Sequence, residues 1–223
     1  MGRSADAPLP ALRYPTRRVP LVELSTRSGG AKRAFDVVVA GVGLLCSWPL
    51  WVLVSSAIKL EDRGPVFYRQ ARIGQGGKVF HVWKFRSMVP DAERTTGAVL
   101  AAENDSRVTR VGRFLRATAL DELPQLWNIL RGDMSFVGPR PERPELVSEF
   151  RRTVEGYDSR FVVVPGLTGL AQVYGRYDSS AREKLRYDRL YIRCGTMRLD
   201  IRLIALSSWV TVRGKWEHRG PKF

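Results

Sequence analysis

The sequence predicts a predominantly helical α+β protein with one small β-hairpin. Three observations lead there. Apolar residues recur at helical spacing in several separate stretches, most clearly in ALDELPQLWNILRGDMSFVGPRP at 119–141. Two short β-rich pieces flank a glycine-rich turn at 74–77. One apolar run, residues 37–58, is far longer than any strand.

The chain has 223 residues, enough for one domain with a real core, and a net charge of +15. That charge implies an anionic partner: nucleic acid, a nucleotide or an anionic membrane surface. Cys46 and Cys194 give no disulfide framework or metal spacing, and two histidines, His81 and His218, cannot complete a zinc site with them. A metal would be held by oxygen, which favours magnesium. No Walker phosphate loop or Rossmann glycine fingerprint is present.

Residues 1–31 read as a basic flexible tail, rich in proline, serine and arginine without periodicity. It lacks the apolar core and cleavage site of a signal peptide. Arg13, Arg17, Arg18 and Arg27 can touch anionic lipid; a solvated arm explains them equally.

The next unit, 32–60, contains the apolar run, and about 20 such residues cross a bilayer core. Lys32 and Arg33 precede it, and Lys59 and Arg63 follow, so the positive-inside rule selects neither end. Keeping both flanks on the cytoplasmic face requires the segment to enter and turn back. Pro49, near the middle, removes a helix hydrogen bond where such a turn would fall. A straight spanning helix and a buried core helix are the rival arrangements. Cys46 reads as inert packing. Asp36 is expected to pair with Arg33 or a headgroup-level group. Trp48 or Trp51 would anchor at an interface.

Residues 61–223 form the remaining domain. Pieces 65–69 and 79–83 make the hairpin, with Lys84 and Arg86 just after it. Residues 89–106 are polar and read as a loop with a short helix, a candidate lid. Residues 111–117 read as a helix with Val111, Phe114 and Leu115 on its apolar side. A central helix is expected to start at Asp121 or Glu122, with Pro124 in its first turn, and to stop near Gly132. Residues 142–155 are an amphipathic helix with Leu146, Val147 and Phe150 inside. Residues 160–164 are strand-like and lead into Gly166–Gly169. Two basic amphipathic helices, 181–192 and 200–212, close the chain and suit either a membrane interface or a core edge.

The chemistry concentrates at 121–141. Asp121 and Glu122 stand at a helix start, and Gly138-Pro139-Arg140-Pro141 is a rigid turn presenting one guanidinium. Together they suit phosphate chemistry. The plain alternative is that the acids cap a helix and the turn is only a turn. The glycines of the stretch leading into and through GLAQVYGR, residues 166–176, allow close backbone approach to a ligand or simply make tight turns, and Arg176 can grip a phosphate.

Several segments occur in order between about residues 32 and 206: KRAFDVVVA with its apolar continuation, PVFYRQARIG, FHVWKFRSM, RVTRVGRFLRATALDELPQLWNILRGDMSFVGPRP and VPGLTGLAQVYGR. This series resembles the bacterial sugar transferase family, the monotopic phosphoglycosyl transferases that start surface-glycan assembly. The resemblance implies a re-entrant helix-break-helix, broken at Pro49. Family members often carry Ser-Pro there; here Ser47 stands one residue further back. It implies transfer of a sugar 1-phosphate from a UDP-sugar to a polyprenyl phosphate, releasing UMP, with Mg2+ as cofactor. Asp121 would be the nucleophile and metal ligand, and Glu122 its partner in proton handling or metal organisation. Lys84, Arg86, Arg116, Arg140, Gln172 and Arg176 would bind substrate or phosphate. The expected location is the cytoplasmic face of a bacterial inner membrane, with self-association into a homo-oligomer left open. The short segment before the apolar run leads to the expectation that the multi-span module of some members is absent here.

Two other classes compete. A basic nucleic-acid-binding module fits the charge, but no recognised motif supports it. A non-catalytic membrane scaffold of a glycan pathway would show a degraded acidic pair, whereas Asp121 and Glu122 are intact.

Overall fold

The computed structural model describes residues 29–90, 92, 105–176 and 178–213. Most of the expected basic tail, most of the candidate lid and His218 lie outside the described residues. Among the described residues the chain is mostly helical with two small sheets.

Helix α1, Gly29–Asp62, runs for 34 residues as one element with Pro49 inside it, so the helix is not interrupted where the sequence suggested a break. It is about 50 Å long at 1.5 Å per residue, and is long and apolar enough to cross a membrane. Only 11% of its most apolar stretch is buried, which removes the core-helix arrangement. One side of α1 is nevertheless sewn to the rest of the chain from end to end. Lys32 pairs with Asp200 at 2.5 Å. Ala40 and Leu44 pack on Leu126 and Ile129. Val54 and Ile58 pack on Phe85 and Leu115. Glu61 accepts the Arg110 and Val111 N–H groups. Val38, Val42, Leu45, Trp48 and Val52 line an exposed apolar side.

Two expectations about α1 change. Asp36 does not pair with Arg33; it is buried and accepts the Phe136 N–H at 3.1 Å. Arg33 instead donates to Ile129 O and Leu130 O, both at 2.6 Å. Cys46 is exposed rather than packed. Displaced Ser47 still meets the backbone: its Oγ donates to Leu44 O at 3.4 Å and accepts Trp51 Nε1–H at 3.1 Å. Trp51 then packs against Phe67 and Phe85, while Trp48 stays exposed.

The hairpin forms as expected, with longer strands. β1, Phe67–Ile73, pairs antiparallel with β2, Val79–Phe85, in the register Phe67↔Phe85 to Ile73↔Val79. Helix α2, Arg110–Ala117, is capped by Thr109, whose Oγ1 accepts the Gly112 N–H. The central helix is shorter than expected. Leu120–Glu122 is a separate 3-10 turn, and α3 proper is Gln125–Arg131, ended by Gly132 at φ 94. That left-handed cap costs glycine little.

After α3 come β3, Ser135–Val137, and α4, Pro144–Thr153, with Val147 inside. The strand-like reading of 160–164 is corrected. Tyr157–Val162 is a 3-10 turn, and only Gly166–Thr168 forms a strand, β4. β4 pairs parallel with β3, a second sheet the sequence did not suggest. Then follow α5, Leu170–Tyr174, α6, Ala181–Cys194, and α7, Met197–Val212. The core under the second sheet is Val137, Leu170, Val173, Tyr191 and Leu203.

Candidate active site

The hairpin is fastened to α3 by Asn128, which is fully buried. Its Oδ1 accepts the Trp83 N–H at 3.0 Å, and its Nδ2 donates to His81 O at 2.8 Å. One side-chain amide thus satisfies a donor and an acceptor on the edge of β2, groups that would be costly to bury unpaired. The sequence reading missed Asn128. Its signal was a polar residue on the apolar side of a short helix.

The Gly138–Pro141 turn is set by backbone contact. Gly138 N–H donates to Thr168 O, and Gly166 N–H donates to Pro139 O, both at 2.9 Å. A Cβ on Gly166 would lie 2.0 Å from Gly138 N, and one on Gly138 would lie 2.5 Å from Val164 O. Both positions therefore require glycine, because the two chains touch where a side chain would be. The approach these glycines allow is of chain to chain, where the sequence suggested approach to a ligand or a tight turn.

The acidic pair sits between these two parts. Ala119 occupies the left-handed region at φ 55, a conformation costing a non-glycine residue about 1 kcal/mol. It turns the chain out of α2 into Leu120–Glu122. The cap positions of this turn and of α3 are held by Ala119 and Pro124, so neither acid is an N-cap. Asp121 and Glu122 are both buried. Glu122 Oε1 accepts from Lys84 Nζ and from Arg140 NH2, each at 2.7 Å. Burial alone would raise the Glu122 pKa; the charges and hydrogen bonds of Arg140 and Lys84 outweigh it and hold the carboxyl well below the usual range. Glu122 is therefore anionic at neutral pH. Three elements, β2, the 3-10 turn and the Gly138–Pro141 turn, meet in one ion triad beside Asp121.

Magnesium is commonly held by one or two carboxylates together with substrate phosphate oxygens and water. No group of three His, Cys, Asp or Glu side chains stands together among the described residues. Adjacent buried carboxylates fit the first mode and do not make an all-protein cage.

The other expected site residues lie as follows. Arg86 is buried away from the triad: it pairs with Asp62 through NH1 (2.6 Å) and NH2, and Nε donates to Pro65 O at 2.6 Å. That clamp ties the end of the hairpin to the end of α1. Arg116 is in the last turn of α2, five residues before Asp121. Arg176 is exposed and paired with Asp178 at 3.1 Å. Gln172 is buried in α5, close to Gly169. The triad thus unites Lys84, Glu122 and Arg140, while Arg86 and Arg176 are engaged elsewhere.

Residues 27–214 match the family model described as bacterial sugar transferase. The chain belongs to the bacterial sugar transferase family. It is 44% identical over 181 residues to a Klebsiella pneumoniae protein named UDP-glucose:undecaprenyl-phosphate glucose-1-phosphate transferase; the match covers 79% of this chain and 39% of that one. It is 41% identical over 176 residues to the UDP-N-acetylgalactosamine-undecaprenyl-phosphate N-acetylgalactosaminephosphotransferase of Aeromonas hydrophila, covering 78% and 41%. It is 41% identical over 194 residues to the exopolysaccharide production protein ExoY of Rhizobium meliloti, covering 79% and 83%. The chain therefore spans about two fifths of the first two transferases and most of the third.

Proposed function

We propose that this bacterial sugar transferase moves a sugar 1-phosphate from a UDP-sugar to undecaprenyl or another polyprenyl phosphate at the cytoplasmic face of the inner membrane, as the first membrane step of a surface glycan. The observation that carries this is the buried triad Lys84–Glu122–Arg140 beside Asp121. Two cations held by one carboxylate give a preorganised positive site for a diphosphate, next to a carboxylate able to attack it.

In this mechanism an Asp121 carboxylate oxygen attacks the phosphorus bearing the sugar. The bond from that phosphorus to the bridging oxygen breaks, and UMP leaves with the electron pair. An oxygen of the polyprenyl phosphate then attacks the same phosphorus. The acyl–phosphate bond breaks, and the Asp121 carboxylate is restored. Lys84 and Arg140 offset the charge that gathers when anion meets anion. Glu122, kept ionised by both, orients them rather than giving up a proton. Mg2+, held by Asp121 with Glu122, would add charge neutralisation on the diphosphate oxygens.

The same reading makes the protein monotopic. Contacts between α1 and the domain recur from Lys32 to Asp62, so no free stretch of about 20 residues remains to cross the bilayer. Both basic flanks belong to one side, and the exposed apolar side of α1 dips into one leaflet. This topology predicts that, in a chain with Cys46 and Cys194 replaced, Gly30→Cys and Arg63→Cys react with an impermeant thiol reagent in inverted vesicles and stay unreactive in intact spheroplasts. Opposite accessibility of the two would establish a spanning helix.

The activity test uses purified protein, Mg2+, undecaprenyl phosphate and a panel of UDP-sugars, reading UMP. Release with one sugar, dependent on the lipid, is the expected result. A folded chain that releases none with any donor would leave the scaffold role as the better account.

A further inference from the structure

Two arginines that this chemistry does not use lie behind the Gly138–Pro141 turn. Arg160, on the 3-10 turn after α4, has a side chain only 3% exposed. Its NH2 donates to Arg140 O at 2.8 Å and stands 3.0 Å from Asp188 Oδ2, and its NH1 donates to the Tyr157 hydroxyl. Arg72, on β1, donates through NH1 to Pro141 O at 3.0 Å. Ile73 N–H donates to Glu142 O at 3.0 Å. Three consecutive carbonyls, those of residues 140, 141 and 142, are thus each gripped from outside the turn.

Burying a guanidinium with a carboxylate adds little to stability compared with apolar packing of the same volume. The pair is better explained by what its geometry fixes. The Arg140 carbonyl belongs to the residue whose side chain reaches Glu122. Holding that peptide plane holds the direction in which the Arg140 side chain leaves the backbone. We propose that Arg160, braced by Asp188 and Tyr157, is a positioning residue that aims Arg140 at the diphosphate. The proposal rests on the reading that Arg140 meets a phosphate. It assigns Arg160 no contact with substrate.

Arg160→Lys keeps a charge opposite Asp188 but loses the planar fork that serves Arg140 O, Tyr157 and Asp188 together. Its kcat is expected to fall by about 10- to 100-fold, the scale of a misplaced catalytic group. The decisive readout is a double-mutant cycle with Arg140→Ala. If Arg160 acts through Arg140, adding Arg160→Lys to Arg140→Ala changes the rate by less than about 2-fold. An equal loss on both backgrounds overturns the proposal and makes Arg160 purely structural, as does a full rate in Arg160→Lys alone. Should Arg160→Lys melt below the assay temperature, Tyr157→Phe, which removes only the hydroxyl that Arg160 bonds, takes its place in the cycle. A second readout needs no turnover. The Nη–H resonance of Arg140, whose NH2 donates to Glu122, assigned by its loss in Arg140→Ala, should be sharp and slow to exchange in the unaltered protein and broadened in the variant. An unchanged resonance also overturns the proposal. A chain that releases no UMP with any donor refutes the transferase reading alone, and the resonance still decides the positioning role.

Discussion

Asp121→Asn is expected to lower lipid-dependent UMP release by about 10,000-fold while the protein stays folded, the scale seen when a covalent nucleophile is removed. Asparagine has nearly the same shape, so the buried site beside Glu122 keeps its packing. An amide oxygen, however, lacks the charge to displace UMP. The distinction from simple misfolding lies in a half-reaction. Without lipid, the unaltered chain mixed with donor should release about one UMP per active site and then stop, because the phospho-sugar waits on Asp121. Asp121→Asn should show no such burst at an unchanged melting temperature. A full burst from the variant would remove Asp121 as nucleophile; a burst absent from both chains would favour direct transfer between donor and lipid.

The local elements were legible because their signals are local. Two β-rich pieces around a glycine turn announced the hairpin, and the run from Leu123 to Gly132 announced α3. The acidic pair and Arg140 stood out by composition and order. What brings Lys84 to them was not legible, because it depends on contacts between distant segments. Asn128 grips the β2 edge 45 residues away, and the β3–β4 pairing forms only because Gly138 and Gly166 can touch. Lys84 and Arg86 looked equivalent in sequence, two residues apart on one strand end. The structure separates them, since Asp62 at the end of α1 claims Arg86 while Glu122 takes Lys84. The strand-like run Arg160–Val164 misled for a related reason. Its β-branched residues follow a buried arginine whose partners, Arg140 O and Asp188, hold the chain in a 3-10 turn. Tertiary bonds there override local propensity.

Glu122→Gln should act on stability as well as rate. In the folded chain the Glu122 carboxylate neutralises two cations, and its substitution leaves Lys84 and Arg140 facing each other. Breaking a fully buried ion pair costs about 3–5 kcal/mol. Here the Lys84 and Arg140 side chains are 19% and 36% exposed, so solvent screens part of the loss. About 2 kcal/mol is the better expectation, a fall of about 4–8 °C in melting temperature for a chain of this size. The sign with pH follows from the depressed pKa. A carboxyl whose folded pKa lies below its ordinary 4.5 stabilises the fold above that value, and the contribution is lost as pH falls. The melting gap between the unaltered chain and Glu122→Gln should therefore be widest near neutrality and narrow as the pH is taken below about 4.5. A gap that is constant with pH would mean that Glu122 acts by shape and not by charge. If the triad's purpose is to aim Lys84 and Arg140, Glu122→Gln should lower kcat and also raise the donor KM, because both phosphate-binding cations lose their common anchor. If Glu122 instead shuttled a proton, kcat would fall with an altered pH profile and an unchanged KM. The ion triad favours the first outcome, since a carboxyl held ionised by two cations is a poor proton donor at neutral pH.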